Sequence, residues 1–369
     1  MSVDVARIGQ AAAASRILLR GQHPGRHFVR TVTALAIATL AVGASSAQAQ
    51  SASGPAPTGL VVGSGNYFSP IVEDLDRAVR FYRDGLGLEV QGAPGDAAEN
   101  PSLRAMFGLP DAKIRWAIAR TPAVPGGGVE IVEISGAGGR RLDRRLEDAG
   151  AISFVVTVRD LDATLARLVQ LGAPVVSTKG PVTLTGGGQK MRIVVVKDFD
   201  GHFVELTEPE ELPSTAAPPT ANVLAVRLRL AVHDAETAAR LYRDELGLPA
   251  RAPIGDFGAN PDVLAALGLS GGQYRVALQT VPTSGLFFDF LDFRGVERNA
   301  VPGRIEDFGS TRVQLRVRDI DAAIAAFEKF GGEVVSTGGR PLDLPAGNST
   351  LKMAIVRDPN DLFVVLIQS

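Results

Sequence analysis

The chain has 369 residues, 45% of them hydrophobic, and a formal net charge of −2. That length exceeds one typical domain and the apolar share suffices for packed cores, while the near-neutral balance excludes the basic footprint of a nucleic-acid binder. With no cysteine, a disulfide framework, a thiolate nucleophile and a cysteine-ligated metal are all excluded.

Residues 1–49 differ in kind from the rest. Arg7, Arg16, Arg20, Arg26 and Arg30 precede an uncharged run from Thr31 to Ala44, which ends near Ala47-Gln48-Ala49. A basic region, an apolar region and an A-x-A site predict a cleaved secretory signal, hence a periplasmic or secreted protein. The apolar run is short for a membrane span, and no twin-Arg pair directs it away from the general export route. The segment carries five Arg and Asp4, so its loss takes the net charge from −2 to −6. An acidic mature chain argues against nucleic-acid partners, and no membrane partner is expected after cleavage. Residues 50–64, rich in Ser, Ala, Pro and Gly, read as a flexible leader.

Downstream, one phrase is written four times: VEDLDRA at Val72, VRDLDAT at Val158, VHDAETA at Val232 and VRDIDAA at Val317. Each follows a β-branched strand pattern such as YFSPIV or ISFVVTV and opens an amphipathic helix. Asp74, Asp160, Asp234 and Asp319 are the expected N-caps, since a carboxylate accepts from the free N–H groups of a first helical turn. The first helix is expected to end near Gly85 or Gly87, and strands are expected at about 88–91, 113–120 and 129–135. Each quarter is therefore a βαβββ unit.

The quarters form two blocks, residues 65–208 and 223–369, joined by a Pro-rich linker at 209–222. The blocks are duplicates: YRDGLGLEV at Tyr82 matches YRDELGLPA at Tyr242, and VVST recurs at Val175 and Val334. The triple-glycine runs at Gly126 and Gly186 read as hairpin turns, because no helix follows to bind phosphate.

The βαβββ unit, the strand leading into V-x-D-L-[DE], the FYRD-x-LGL segment and a final strand like DGHFVEL resemble the vicinal oxygen chelate superfamily, which includes glyoxalase I, extradiol dioxygenases and bleomycin-resistance proteins. The resemblance spans residues 65–369. It implies an α+β fold of four βαβββ modules forming two tandem glyoxalase-like domains, with units one and two closing one cup and units three and four a second.

In metal-using relatives, the resemblance implies, a His stands seven residues before the cap Asp and a carboxylate or amide on the last strand. Here those places hold Tyr67, Ser153, Arg227 and Arg312, then Glu130, Glu205, Asp289 and Val365, with Glu133 the neighbouring alternative to Glu130. No position is histidine. Outside the signal only His202 and His233 remain, both expected at the surface, so a transition-metal site of the imidazole kind is not expected. In the first block Glu130 and Glu205 could hold a hard divalent cation, act as acid and base, or bind a ligand with Tyr67 and Ser153. In the second, Arg227, Asp289 and Arg312 either bind a carboxylate or phosphate or fill the cup themselves. Trp116 and Tyr274 could line a ligand cleft, and Arg115 and Arg275 could share a sheet face, although core and solvated positions are the plainer readings. The reading is of a small-molecule binding protein without a transition metal; the alternative is a divergent lyase, isomerase or dioxygenase-like enzyme using Glu130 and Glu205; a third is a structural role with both cups filled.

Overall fold

The computed structural model describes residues 58–97, 100–121, 127–186, 189–213, 217–346 and 349–369. The expected signal lies outside these residues, and the segment 50–64 expected as a flexible leader ends in a strand, Val61–Ser64, which pairs with Thr311–Val317. The first quarter runs β1 (Val61–Ser64), β2 (Ser69–Val72), α1 (Leu75–Arg80), β3 (Glu89–Asp96), α2 (Pro101–Met106), β4 (Lys113–Arg120) and β5 (Val129–Ser135). The second has β6 (Ile152–Val158), α3 (Leu161–Gln170), β7 (Val182–Gly186), β8 (Gln189–Lys197) and β9 (Phe203–Pro209). The third has β10 (Val223–Val232), α4 (Ala235–Ala239), α5 (Pro261–Ala266), β11 (Gln273–Thr280) and β12 (Phe287–Arg294). The fourth has β13 (Thr311–Val317), α6 (Ile320–Lys329), β14 (Glu333–Val334), β15 (Leu342–Ala346), β16 (Ser349–Arg357) and β17 (Phe363–Gln368).

All four cap aspartates act as expected, each accepting from the backbone N–H three residues on, at Arg77, Ala163, Thr237 and Ala322. The last strand of each unit adds a second cap. Glu133, Glu208, Asp292 and Gln368 accept from the first helical N–H groups, at Leu75, Leu161, Ala235 and Ile320. Arg115 and Arg275 hold two of these carboxylates, Glu133 at 3.5 Å and Asp292 at 2.9 Å. These arginines therefore brace helix starts, in separate sheets, and do not form a pair. Helix α1 widens into a π-helical turn at Phe81–Gly85. The chain then turns at Gly87, whose φ of +81° suits a residue without Cβ.

The units pair in a nested order. One sheet runs β14-β16-β17-β13-β2-β5-β4-β3, with β1 on β13 and β15 on β16; the other runs β11-β12-β10-β6-β9-β8-β7. Unit one thus joins unit four and unit two joins unit three, in place of the expected one-with-two and three-with-four. Antiparallel contacts make each junction, Arg312 opposite Ser69 and Arg229 opposite Ser153.

Period-two alternation gives each strand a helix side and a cup side. The helix sides of both sheets share one core, in which the rings of Phe68 and Phe154 stack with centroids 5.0 Å apart. Both are fully buried, each such ring contributing about 1.5–3 kcal/mol by leaving water. The cup sides form two separate apolar clusters, each crossed by a short helix, α2 in one and α5 in the other. The repeated VVST segment secures these helices. Ser336 donates to the Met106 carbonyl and Ser177 to the Ala266 carbonyl. The connectors 136–150 and 295–310 run against each other, with Arg140 donating to the Pro302 carbonyl and Arg304 to the Gly138 carbonyl.

Candidate functional site: two cups with buried arginines

Strand β5 brings Glu130 to the cup of units one and four. Its Oε2 accepts from Arg312 at 3.0 Å, Gln314 at 3.0 Å and Ser69 at 3.2 Å, and its Oε1 from Asn66 at 3.5 Å. The Arg312 guanidinium lies over the Phe107 ring, 4.5 Å from its centroid. Burial lowers the Arg312 pKa, and the Glu130 charge opposes that shift. Val365 is fully buried among the apolar side chains of this cup.

Tyr67 does not join this set. The chain leaves the strand between β1 and β2, and Tyr67 turns into the shared core, its ring stacked on Phe154 and its hydroxyl paired with Thr121. Gly127 makes room, since a Cβ there would stand 2.6 Å from the Tyr67 ring. Burial pushes the Tyr67 hydroxyl well above the ordinary tyrosine range.

The cup of units two and three holds Glu205, Arg227, Arg229 and Asp289, with Ser153 opposite Arg229. Arg229 donates to Glu205 Oε2 at 2.5 Å. Arg251 donates to Asp289 Oδ1 at 2.5 Å and stacks on Phe287, while Arg227 lies 3.6 Å from Asp289 Oδ2. Burial lowers the Arg227 pKa, against the pull of Asp289. Tyr274 lines the same apolar cluster, its hydroxyl pushed up to about 12 by burial, with Arg229 acting in the opposite sense.

Glu130 and Glu205 therefore stand in different sheets, and the acid–base or cation-binding pair expected of them is not assembled. Arg312 is likewise parted from Arg227 and Asp289. Trp116 and Tyr274 belong to different sheets and line no common cleft. Arg229 and Gln314 escaped notice in the sequence although VRLRL and VQLRV place them two residues after Arg227 and Arg312, on the same face. Arg251 lies in a segment with no periodicity to announce it.

His233 is exposed as expected, but His202 is buried. Its Nδ1 lies 2.9 Å from Asp198 Oδ2 and its Nε2 3.0 Å from the Ser310 carbonyl. Both partners accept, so both ring nitrogens donate and the ring is an imidazolium. Burial opposes that charge, but Asp198 outweighs it and raises the His202 pKa. Tyr82 donates to the same carboxylate at 3.0 Å. The cluster ties units one and two to the connector that leads into unit four, in the core and away from both cups.

Among the described residues no three His, Cys, Asp or Glu side chains gather as a metal-ligand set. In each cup a guanidinium faces the strand carboxylate, an arrangement that does not fit a cation.

Two curled sheets of paired βαβββ units, each enclosing a polar cluster in an apolar cup, define a glyoxalase-like fold. Residues 66–206 match the family model of the Glyoxalase/Bleomycin resistance protein/Dioxygenase superfamily. Among solved structures, glyoxalase I from Zea mays is similar in fold, with 19% identity, a TM-score of 0.51 and coverage of 82% of this chain and 92% of that one. A mutant of the same maize enzyme gives 18% identity, a TM-score of 0.51 and coverage of 83% and 94%. A glyoxalase family protein from Bacillus cereus has 22% identity, a TM-score of 0.35 and coverage of 43% and 98%. No curated protein matches the sequence.

Proposed function

We propose that this chain is an exported member of the superfamily that binds a small organic molecule without a transition metal. The observation that carries the reading is the Arg229–Glu205 pair, 2.5 Å apart with both side chains buried, repeated in kind by Arg312–Glu130. At three of the four positions where a metal-using relative is expected to present a carboxylate, this chain presents one already held by a guanidinium, at Glu130, Glu205 and Asp289, and the fourth is Val365. A hard cation at Glu130 is disfavoured for the same reason, because that carboxylate accepts from Arg312, Gln314, Ser69 and Asn66.

The test is elemental analysis of the purified exported protein alongside a thermal-shift screen of metals and small organic acids. A ligand that prefers the native state raises the melting temperature. Organic compounds that raise it unchanged by chelator support the reading. Stoichiometric manganese, zinc, iron or nickel, or a shift abolished by chelator, would overturn it. Export is tested by mass spectrometry, with a mature N-terminus at Gln50 as the expected result.

A further inference from the structure

The two cups differ in how completely they satisfy themselves. In the cup of units one and four, both Glu130 oxygens have donors, and of the polar cluster around them only Arg312 Nε is buried without a partner among the described residues. In the cup of units two and three, Glu205 Oε1, Asp289 Oδ2, Arg229 Nε, Arg251 Nε and the Tyr274 hydroxyl are buried with no hydrogen-bond partner among the described residues. Glu205, Asp289, Arg229 and Tyr274 are at most 3% exposed. Leaving a polar atom buried and unpaired costs about 1–3 kcal/mol, so five in one place are not an ordinary core.

Register puts these atoms on one surface. Arg229 stands beside Asp289 across β10 and β12, Tyr274 faces Phe293 two alternations further along β12, and Glu205 bonds Arg229. The floor around them is apolar, including Met191, Ile193, Val195, Phe203 and Leu291. Three guanidinium groups, Arg227, Arg229 and Arg251, meet two carboxylates, Glu205 and Asp289, which leaves one positive charge in excess.

We infer that the cup of units two and three is the ligand cup, and that its ligand is a small monocarboxylate with an apolar body and a hydroxyl or N–H donor beside the carboxylate. The ligand carboxylate neutralises the excess charge and takes the free guanidinium N–H groups, a charge-assisted geometry that arginine favours. The neighbouring donor serves Glu205 Oε1 or Asp289 Oδ2, and the body rests on the apolar floor. Arg251, whose side chain is 18% exposed, marks the rim. The inference rests on the small-molecule reading above and names the chemical class.

Titration calorimetry on the full mature chain with 3-phenyllactate, 2-hydroxyisocaproate, their neutral amides and inorganic phosphate tests it. The acids are expected to bind and the amides to bind at least about tenfold more weakly. Arg251→Gln should weaken acid binding about tenfold or more, while Arg115→Gln, on the helix side of the other sheet, should not. Tyr274→Phe gives a sign that a structural role cannot mimic: the ligand-free protein melts higher, because an unpaired hydroxyl is gone, yet acid binding weakens. Equal binding of acids and amides, binding of phosphate alone, or acid binding unaffected by Arg251→Gln and Tyr274→Phe would each overturn the carboxylate assignment and leave small-molecule binding standing. Binding of none of these probes overturns the assignment too; the broader reading falls only if the wider screen also finds no organic ligand.

Discussion

The Arg312 guanidinium donates to Glu130 at 3.0 Å across 182 residues of sequence, joining the last quarter of the chain to the first. The bond lies where β13 meets β2, at the junction of two repeats. Arg312→Met should destabilise the protein by about 1–2 kcal/mol, read as a lower midpoint in urea. The loss stays modest because Glu130 keeps Gln314 and Ser69 as donors and its side chain is 17% exposed. No change in midpoint would mean that the pair contributes nothing to this junction.

Arg229→Met should cost more, about 3–5 kcal/mol, because it strands a buried carboxylate whose other oxygen already lacks a partner. The double variant Arg229→Met with Glu205→Leu should recover most of that loss, since an apolar pair of similar volume removes both desolvation costs. A double-mutant cycle by chemical denaturation checks this, and additive losses would refute it.

Between His202 and Asp198 the sign of a pH effect is set. His202 titrates above its ordinary 6.5 in the folded protein, so its contribution is complete below about pH 6.5 and is lost as pH rises through the folded value. Asp198 titrates below its ordinary 3.8, held down by His202 against its burial; its contribution is present above 3.8 and lost as pH falls through the folded value. His202→Leu places at this site the residue found at the matching place in the other block, Leu362. Its destabilisation should be larger at pH 5.5 than at pH 9, measured by urea unfolding. A loss that does not depend on pH would show that the ring is neutral.

Residues 58–213 expressed alone leave β2 without β13 and β6 without β10. Exposed sheet edges pair with whatever is available, so this fragment should be oligomeric or aggregated by light scattering. Mixed during refolding with residues 217–369, it should give a one-to-one complex. A stable monomeric half with native secondary structure would contradict the nested pairing.

The repeated cap phrases made the units legible, because an Asp before an amphipathic run has one local meaning, and all four caps form. Strands at 113–120 and 129–135 also stand where the alternation puts them. Partner choice was not legible: alternation tells which way a side chain points, not which strand lies alongside. That is why Glu130 and Glu205 were read as one site and are two. His202 misled for a related reason, since its burial depends on Ser310, 108 residues away. Tyr67 failed locally, because the break between β1 and β2 cancels a fixed count back from Asp74.

Nested pairing also gives assembly an order in time. The seven strands of the inner sheet all lie between residues 152 and 294, so that sheet has every strand it needs before the last quarter is made. The outer sheet cannot close until β17, which ends at Gln368. Strand β1 and the free edge of β2, among the first made, thus wait for β13, and sheets built from distant segments form slowly. Four quarters laid out as a palindrome grow from the middle of the chain towards both ends.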